Sequence, residues 1–143
     1  MAARDHVAAI AELVDHMERI GLLARDGREE TLKALHSREE FVSTGIGSGV
    51  AIPHAFSESI DDVIAVMGRS RAGIDFLAHD NALVHLVILF IVPRQHYHLH
   101  LRTLAAIARL FHDDEMKRNL LAADSSADMV LTLRRGAPRA AIA

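Results

Sequence analysis

Residues Thr44 to His54 read TGIGSGVAIPH: glycine at every second position from Gly45 to Gly49, a short apolar run, then proline and histidine. Glycine tolerates the turns that let backbone N–H groups approach an anion, so residues 45–49 read as a loop able to cradle one. A tight glycine turn without any ligand explains the same composition. As a nucleotide motif the stretch fails. A dinucleotide fingerprint needs glycine at Val50 and a helix directly after it, and a P-loop needs Gly-Lys-Ser/Thr. Val50 to Ile52 then predict a short strand ended by Pro53, which places His54 at a stiff strand end. With a typical histidine pKa of ~6.5, a neutral imidazole is available there as a nucleophile near neutral pH.

On the N-terminal side, Val7, Ile10, Ala11, Leu13, Val14, Met17 and Ile20 recur at three- and four-residue steps, one face of an amphipathic helix that Gly21 ends. Asp26-Gly27 signals a turn, and Glu29 to Leu35 suit a second, shorter helix. Ser37-Arg38-Glu39-Glu40 has the form of a capping box, which predicts a further short helix running out near Ser43.

Beyond His54, Val63 to Met67 predict a strand, and Ile74 and Phe76 around Asp75 predict a shorter extended piece. Asp80-Asn81 marks a turn. Leu83 to Val92 carry the Val, Ile, Leu and Phe content of a strand covered on both faces. Helical spacing returns from His98 to Phe111. Two short helices follow, Asp114 to Ala122 and Ser126 to Leu133, with Ser125 as a cap. The expected organisation is one α/β domain over residues 1–133, a mixed β-sheet flanked by helices on both faces, with a flexible tail from Arg134 to Ala143.

Composition narrows the function. The 143 residues are 50% hydrophobic and 24% charged, a balance that fits a folded globular protein rather than a disordered one. A formal net charge of −3 leaves no electrostatic footprint for nucleic acid. Cysteine is absent, which excludes disulfides, thiolate metal sites and cysteine nucleophiles. The longest apolar run is about half of the ~20 residues a membrane span needs, so no direct membrane insertion is expected. The N-terminal residues MAARDHVAAIAEL interleave charges with apolar residues, unlike a signal peptide, and the expected location is cytoplasmic.

His96, His98 and His100 form a second cluster with chemical potential. If helical, His96 and His100 share a face at i and i+4; if extended, all three do. Either spacing suits zinc, yet no HExxH motif follows, and a solvated segment leading into a helix is the simpler account. His6, His16, His36 and His112 read as surface residues, and His85 as a hydrogen-bonded core or edge residue.

Taken together, Ser37-Arg38-Glu39-Glu40 and Ser43 through Ala55 resemble the A component of the fructose and mannitol class of the bacterial phosphoenolpyruvate-dependent sugar phosphotransferase system, a fold shared by nitrogen-regulatory A proteins. Gly73-Ile74-Asp75-Phe76, the strand Val84 to Pro93, and His100-Leu101-Arg102-Thr103-Leu104-Ala105 extend the likeness over roughly residues 5–133. The resemblance implies that His54 accepts a phosphoryl group, that His100 is the partner histidine hydrogen-bonding it, and that Arg38 is the active-site arginine. It places Thr44 and Ser48 in the active loop as donors to phosphoryl oxygens. It implies a histidine-containing phosphocarrier protein as donor, a B component or a regulatory target protein as acceptor, and no cofactor. One departure stands out. Family members open with a strand and short helix before the first long helix, so the opening edge strand is expected to be missing here, or the domain to come from a longer chain.

Overall fold

A computed structural model describes residues 1–136, which divide into two units, Met1–Leu99 and His100 onward. The first unit carries the sheet. Helix α1 (His6–Arg19) starts at Asp5, whose Oδ1 accepts the Ala8 N–H at 2.9 Å, an N-cap the apolar periodicity did not reveal. Its stripe Ile10, Leu13, Val14 and Met17 is buried as the spacing predicts, whereas Val7 and Ile20 at the two ends stay about half exposed. Gly21 leaves the helix at φ +80°, a conformation costly for any residue with a Cβ.

The turn at Asp26-Gly27 is a short 3-10 segment, Arg25–Gly27, that feeds straight into α2 (Arg28–Phe41). This corrects the expected break at Ser37: one continuous helix replaces two. Thr31, Leu35 and Glu39, four residues apart, are all buried. That shared face runs past Ser37 without interruption, so Ser37 never takes the non-helical backbone that a cap requires.

The glycine segment is also more regular than a loop. Gly45–Gly47 form strand β1, antiparallel to β2 (Val50–Ala51), with Gly47 opposite Val50. Ser48 and Gly49, both at positive φ (56° and 79°), are the two central residues of a hairpin turn with the type I′ signature. Pro53 interrupts the chain, and His54 opens β3 (His54–Ser57) rather than ending the preceding strand. The predicted strand at 63–67 is the first half of β4 (Ile64–Ile74), which reaches Ile74 through an irregular stretch after Arg69.

Strand β5 (Val84–Pro93) organises the sheet. Along one edge it pairs antiparallel with β4; along the other it pairs parallel with β2 and, further on, with β3. The sheet is therefore mixed, as expected. Every residue of β5 except His85 is buried, which agrees with the reading of a strand covered on both faces. Val87, Leu89 and Ile91, alternating on one face, join the core formed with Ile10, Leu13, Val14 and Met17 of α1 and Leu35 of α2. Ahead of α1, the Asp75 N–H donates to the Arg4 carbonyl at 3.0 Å, and Asp5 and Asp75 form a single bridge instead of an opening strand.

The second unit is helical, with α4 (Asp114–Ala122) packed on α5 (Ser126–Gly136) and the greater part of α3 (His98–Phe111) preceding them. Asp113 caps α4 by accepting the N–H groups of Glu115 and Met116. Ser125 accepts the Asp128 N–H at 3.1 Å, the cap expected for α5. Helix α5 extends to Gly136, so Arg134 and Arg135 form its last turn; residues 137–143 of the expected tail lie outside the described residues. Among the described residues no helix is long and apolar enough to cross a membrane.

Candidate functional site

His54 is 5% exposed at the head of β3, paired with Phe90 of β5. Its ring lies nearly parallel to the Phe90 ring, with centroids 5.0 Å apart and planes 10° apart. Nδ1 is 2.8 Å from the Ile52 carbonyl oxygen. A carbonyl only accepts, so Nδ1 carries the proton and the lone pair of the neutral ring sits on Nε2. Pro53 lies between donor and acceptor, and its fixed φ stiffens the link.

The loop leading to His54 is tied to α2 by Glu39. The Thr44 N–H donates to Glu39 Oε1 at 2.9 Å, and the Thr44 hydroxyl donates to Oε2 at 2.6 Å. Both groups are buried, Glu39 at 9% and Thr44 at 4% exposure. Thr44 in turn accepts the Ile52 N–H at 2.9 Å through its carbonyl. Glu39 has no role of its own in the capping-box pattern at Ser37 to Glu40; its signal is the four-residue spacing from the buried Leu35. Beside this tie, Ser43 Oγ donates to the Phe76 carbonyl. Gly45 is hemmed in by Ala78, where an added Cβ would meet Ala78 Cβ at 2.9 Å.

These contacts bear on two expectations. Thr44 was expected to donate to phosphoryl oxygens, but Glu39 already occupies both of its donors. Ser48 was expected in the same role, yet the sheet register carries it away. Val50 sits opposite Leu86 and His54 opposite Phe90, four residues further along β5, or about 13 Å at ~3.3 Å per residue. Ser48 lies beyond Val50 at the hairpin tip, where its N–H donates to Asp80 Oδ2 at 3.0 Å. The Asp80 carboxyl is held below its ordinary range by that N–H and by the N–H of Ala82.

Arg38 is half-buried in the last turn of α2, and its Nη1 donates to the Val42 carbonyl at 3.1 Å. Helix α2 packs against β3, the strand that His54 opens. His100 is half-buried in the first turn of α3. His85 behaves as anticipated, half-buried with Nδ1 donating to the Ser70 carbonyl at 2.9 Å. The metal alternative on His96, His98 and His100 gains no support: among the described residues no three His, Cys, Asp or Glu side chains are grouped to hold an ion. The rings of His96 and His98 meet edge to face, 6.0 Å apart.

Comparison with known proteins agrees with this architecture. Residues 2–135 match the family model described as phosphoenolpyruvate-dependent sugar phosphotransferase system, EIIA 2. A fructose-specific EIIABC component of Bacillus subtilis is 34% identical over 81% of this chain and 18% of its own length. A fructose-specific EIIA component of Haloferax volcanii is 35% identical over 70% of this chain and 65% of its own. The nitrogen regulatory protein of Escherichia coli is 35% identical over 74% and 67%. The chain thus spans less than two thirds of either fructose-specific relative.

Among solved structures, the nitrogen regulatory protein IIA-Ntr of Neisseria meningitidis superposes with a TM-score of 0.83 at 26% identity, covering 93% of this chain and 89% of that one. Enzyme IIA mannitol of Escherichia coli, solved in complex with phosphorylated enzyme IIB mannitol, shares the fold at a TM-score of 0.76 and 16% identity, over 94% and 91%. A match to the family model across residues 2–135, nearly the whole chain, places the protein in the EIIA 2 family of the phosphoenolpyruvate-dependent sugar phosphotransferase system.

Proposed function

We propose that this protein is a cytoplasmic phosphohistidine carrier, with His54 Nε2 as the acceptor. The observation that carries the reading is the Nδ1–H bond to the Ile52 carbonyl, which leaves Nε2 with the lone pair. In the proposed step Nε2 attacks the phosphorus of a phosphorylated histidine on the donor, a histidine-containing phosphocarrier protein. The new Nε2–P bond forms as the donor's N–P bond breaks, and the donor ring nitrogen takes back the electron pair. The proton stays on Nδ1, hydrogen-bonded to the Ile52 carbonyl, which stabilises the positive charge growing on the ring.

Exchange between two imidazoles is nearly balanced in energy, so alignment and neutralisation of the phosphoryl oxygens are what the protein must supply. Arg38 is assigned to the oxygens, since a guanidinium matches phosphate geometry, and His100 to a hydrogen bond with the bound group. The acceptor is a B component, a role supported by the mannitol relative solved with its enzyme IIB.

A second output has its own support in the nitrogen regulatory relatives, including the solved structure at 26% identity. The same phosphorylated His54 would there control binding to a target protein.

Incubation with phosphoenolpyruvate, enzyme I and the phosphocarrier, followed by intact mass, tests the shared chemistry. Wild type should gain one acid-labile phosphoryl group and His54→Ala none. Arg38→Ala and His100→Ala should each slow uptake by about a hundredfold while remaining folded. Equal labelling of His54→Ala and wild type would refute the assignment. Rapid discharge onto a B component would mark transport, and a long-lived phosphoryl state that alters binding to a target would mark regulation.

A further inference from the structure

The structure assigns Glu39 as the residue that positions the His54 imidazole, acting through Thr44 and Ile52; the assignment rests on His54 being the phosphoryl acceptor. Four hydrogen bonds link helix to ring. Glu39 takes the N–H and the hydroxyl of Thr44, at 2.9 and 2.6 Å. The Thr44 carbonyl takes the Ile52 N–H at 2.9 Å, and the Ile52 carbonyl takes His54 Nδ1–H at 2.8 Å. The last bond decides which ring nitrogen is the nucleophile, so whatever holds Ile52 also holds the tautomer.

Packing alone does not explain a glutamate here. Its helical face otherwise buries Thr31 and Leu35, and a buried carboxylate is costly unless its oxygens are satisfied. An apolar residue would fill the position more cheaply but would leave the buried Thr44 N–H and hydroxyl unpaired. Glu39 offers two acceptors to one residue. That two-point clamp restrains both the backbone and the side chain of Thr44, and it seats the β1–β2 hairpin on α2. The clamp works through geometry rather than by lending charge to the ring, because no single peptide unit carries both a donor and an acceptor of the chain.

Glu39→Gln and Glu39→Ala separate these possibilities. Glutamine keeps both contacts without the charge: its carbonyl oxygen accepts the Thr44 N–H, and its amide donates to the Thr44 hydroxyl oxygen. Alanine keeps neither. The ¹⁵N resonances of the His54 ring in the unphosphorylated protein report the tautomer directly. Single-turnover phosphoryl uptake gives kcat and KM for the phosphorylated carrier.

In Glu39→Ala, Nδ1 should lose its fully protonated signature, and kcat should fall at least ~10-fold with KM nearly unchanged. Glu39→Gln should keep the wild-type tautomer and lose less than about threefold in kcat. A wild-type tautomer and kcat in Glu39→Ala would overturn the assignment, and so would Glu39→Gln as impaired as Glu39→Ala. If Glu39→Ala does not fold, Thr44→Val decides: it removes only the hydroxyl contact and should lower kcat, with Thr44→Ser restoring it, and unchanged values in Thr44→Val would refute the clamp. Because the tautomer is read without any phosphoryl donor, a wild type that takes up no phosphoryl group would sink the carrier reading while still leaving Glu39 to be judged.

Discussion

The orientation of His54 rests on two neighbours of different kinds, a carbonyl two residues back and an aromatic ring on the adjacent strand. The first was within reach of the sequence, since Ile52-Pro53-His54 is a local unit of restricted backbone. The second depends on register, which alone sets Phe90 beside His54. Asp80 shows the same division, because its partner Ser48 lies 32 positions away in the chain. Its carboxyl is lowered from the ordinary 3.8 by the N–H groups of Ser48 and Ala82. A depressed acid stabilises the folded state above its unfolded pKa, and that contribution disappears as pH falls through the folded value. The Ser48 and Ala82 amide shifts should therefore titrate together with a midpoint below 3.8 in two-dimensional NMR, and Asp80→Asn should abolish that titration. A midpoint at or above 3.8 would show that the contact does not hold the carboxylate in solution.

Elements with a strong repeat were legible, and those decided by company were not. The stripe of α1 and the apolar run of β5 both emerge where periodicity and composition place them. Helix α2 was divided in error because a local cap signal at Ser37 competes with a buried face that exists only once the helix is packed. The glycine segment reads as loop because glycine is depleted in strands, yet its alternate glycines serve close approach at Gly45 and positive φ at Gly47 and Gly49. The hairpin turn yields a prediction at this scale. Ser48 holds φ 56°, which asparagine tolerates better than serine, and asparagine before glycine is the favoured type I′ pair. Ser48→Asn should raise stability in urea denaturation, seen as a higher midpoint with an unchanged slope. Phosphoryl uptake should stay unchanged, because the turn lies far along β5 from His54. A slower uptake would return Ser48 to the site.

Across the first unit, β5 is the strand on which the sheet depends, pairing with β2, β3 and β4 while one face packs on α1 and α2. Ile91 stands at the centre of that arrangement, fully buried and opposite both Ala55 and Ile64. Ile91→Ala should cost about 2–5 kcal/mol by urea denaturation, and the surviving folded fraction should still take up phosphoryl. A loss below 1 kcal/mol would show that the core relaxes around the missing volume. The sequence by itself determined the α/β class, most of the helices and the glycine-rich turn that leads to Pro53-His54, since turn chemistry, periodicity and a stiff Pro-His step act over a few residues. Only the tertiary structure decided which nitrogen of His54 faces the Ile52 carbonyl, that Glu39 holds Thr44, and that the Ser48 N–H meets Asp80. Those outcomes turn on which polar groups meet once the sheet is paired and the helices are packed. No spacing along the chain records that choice.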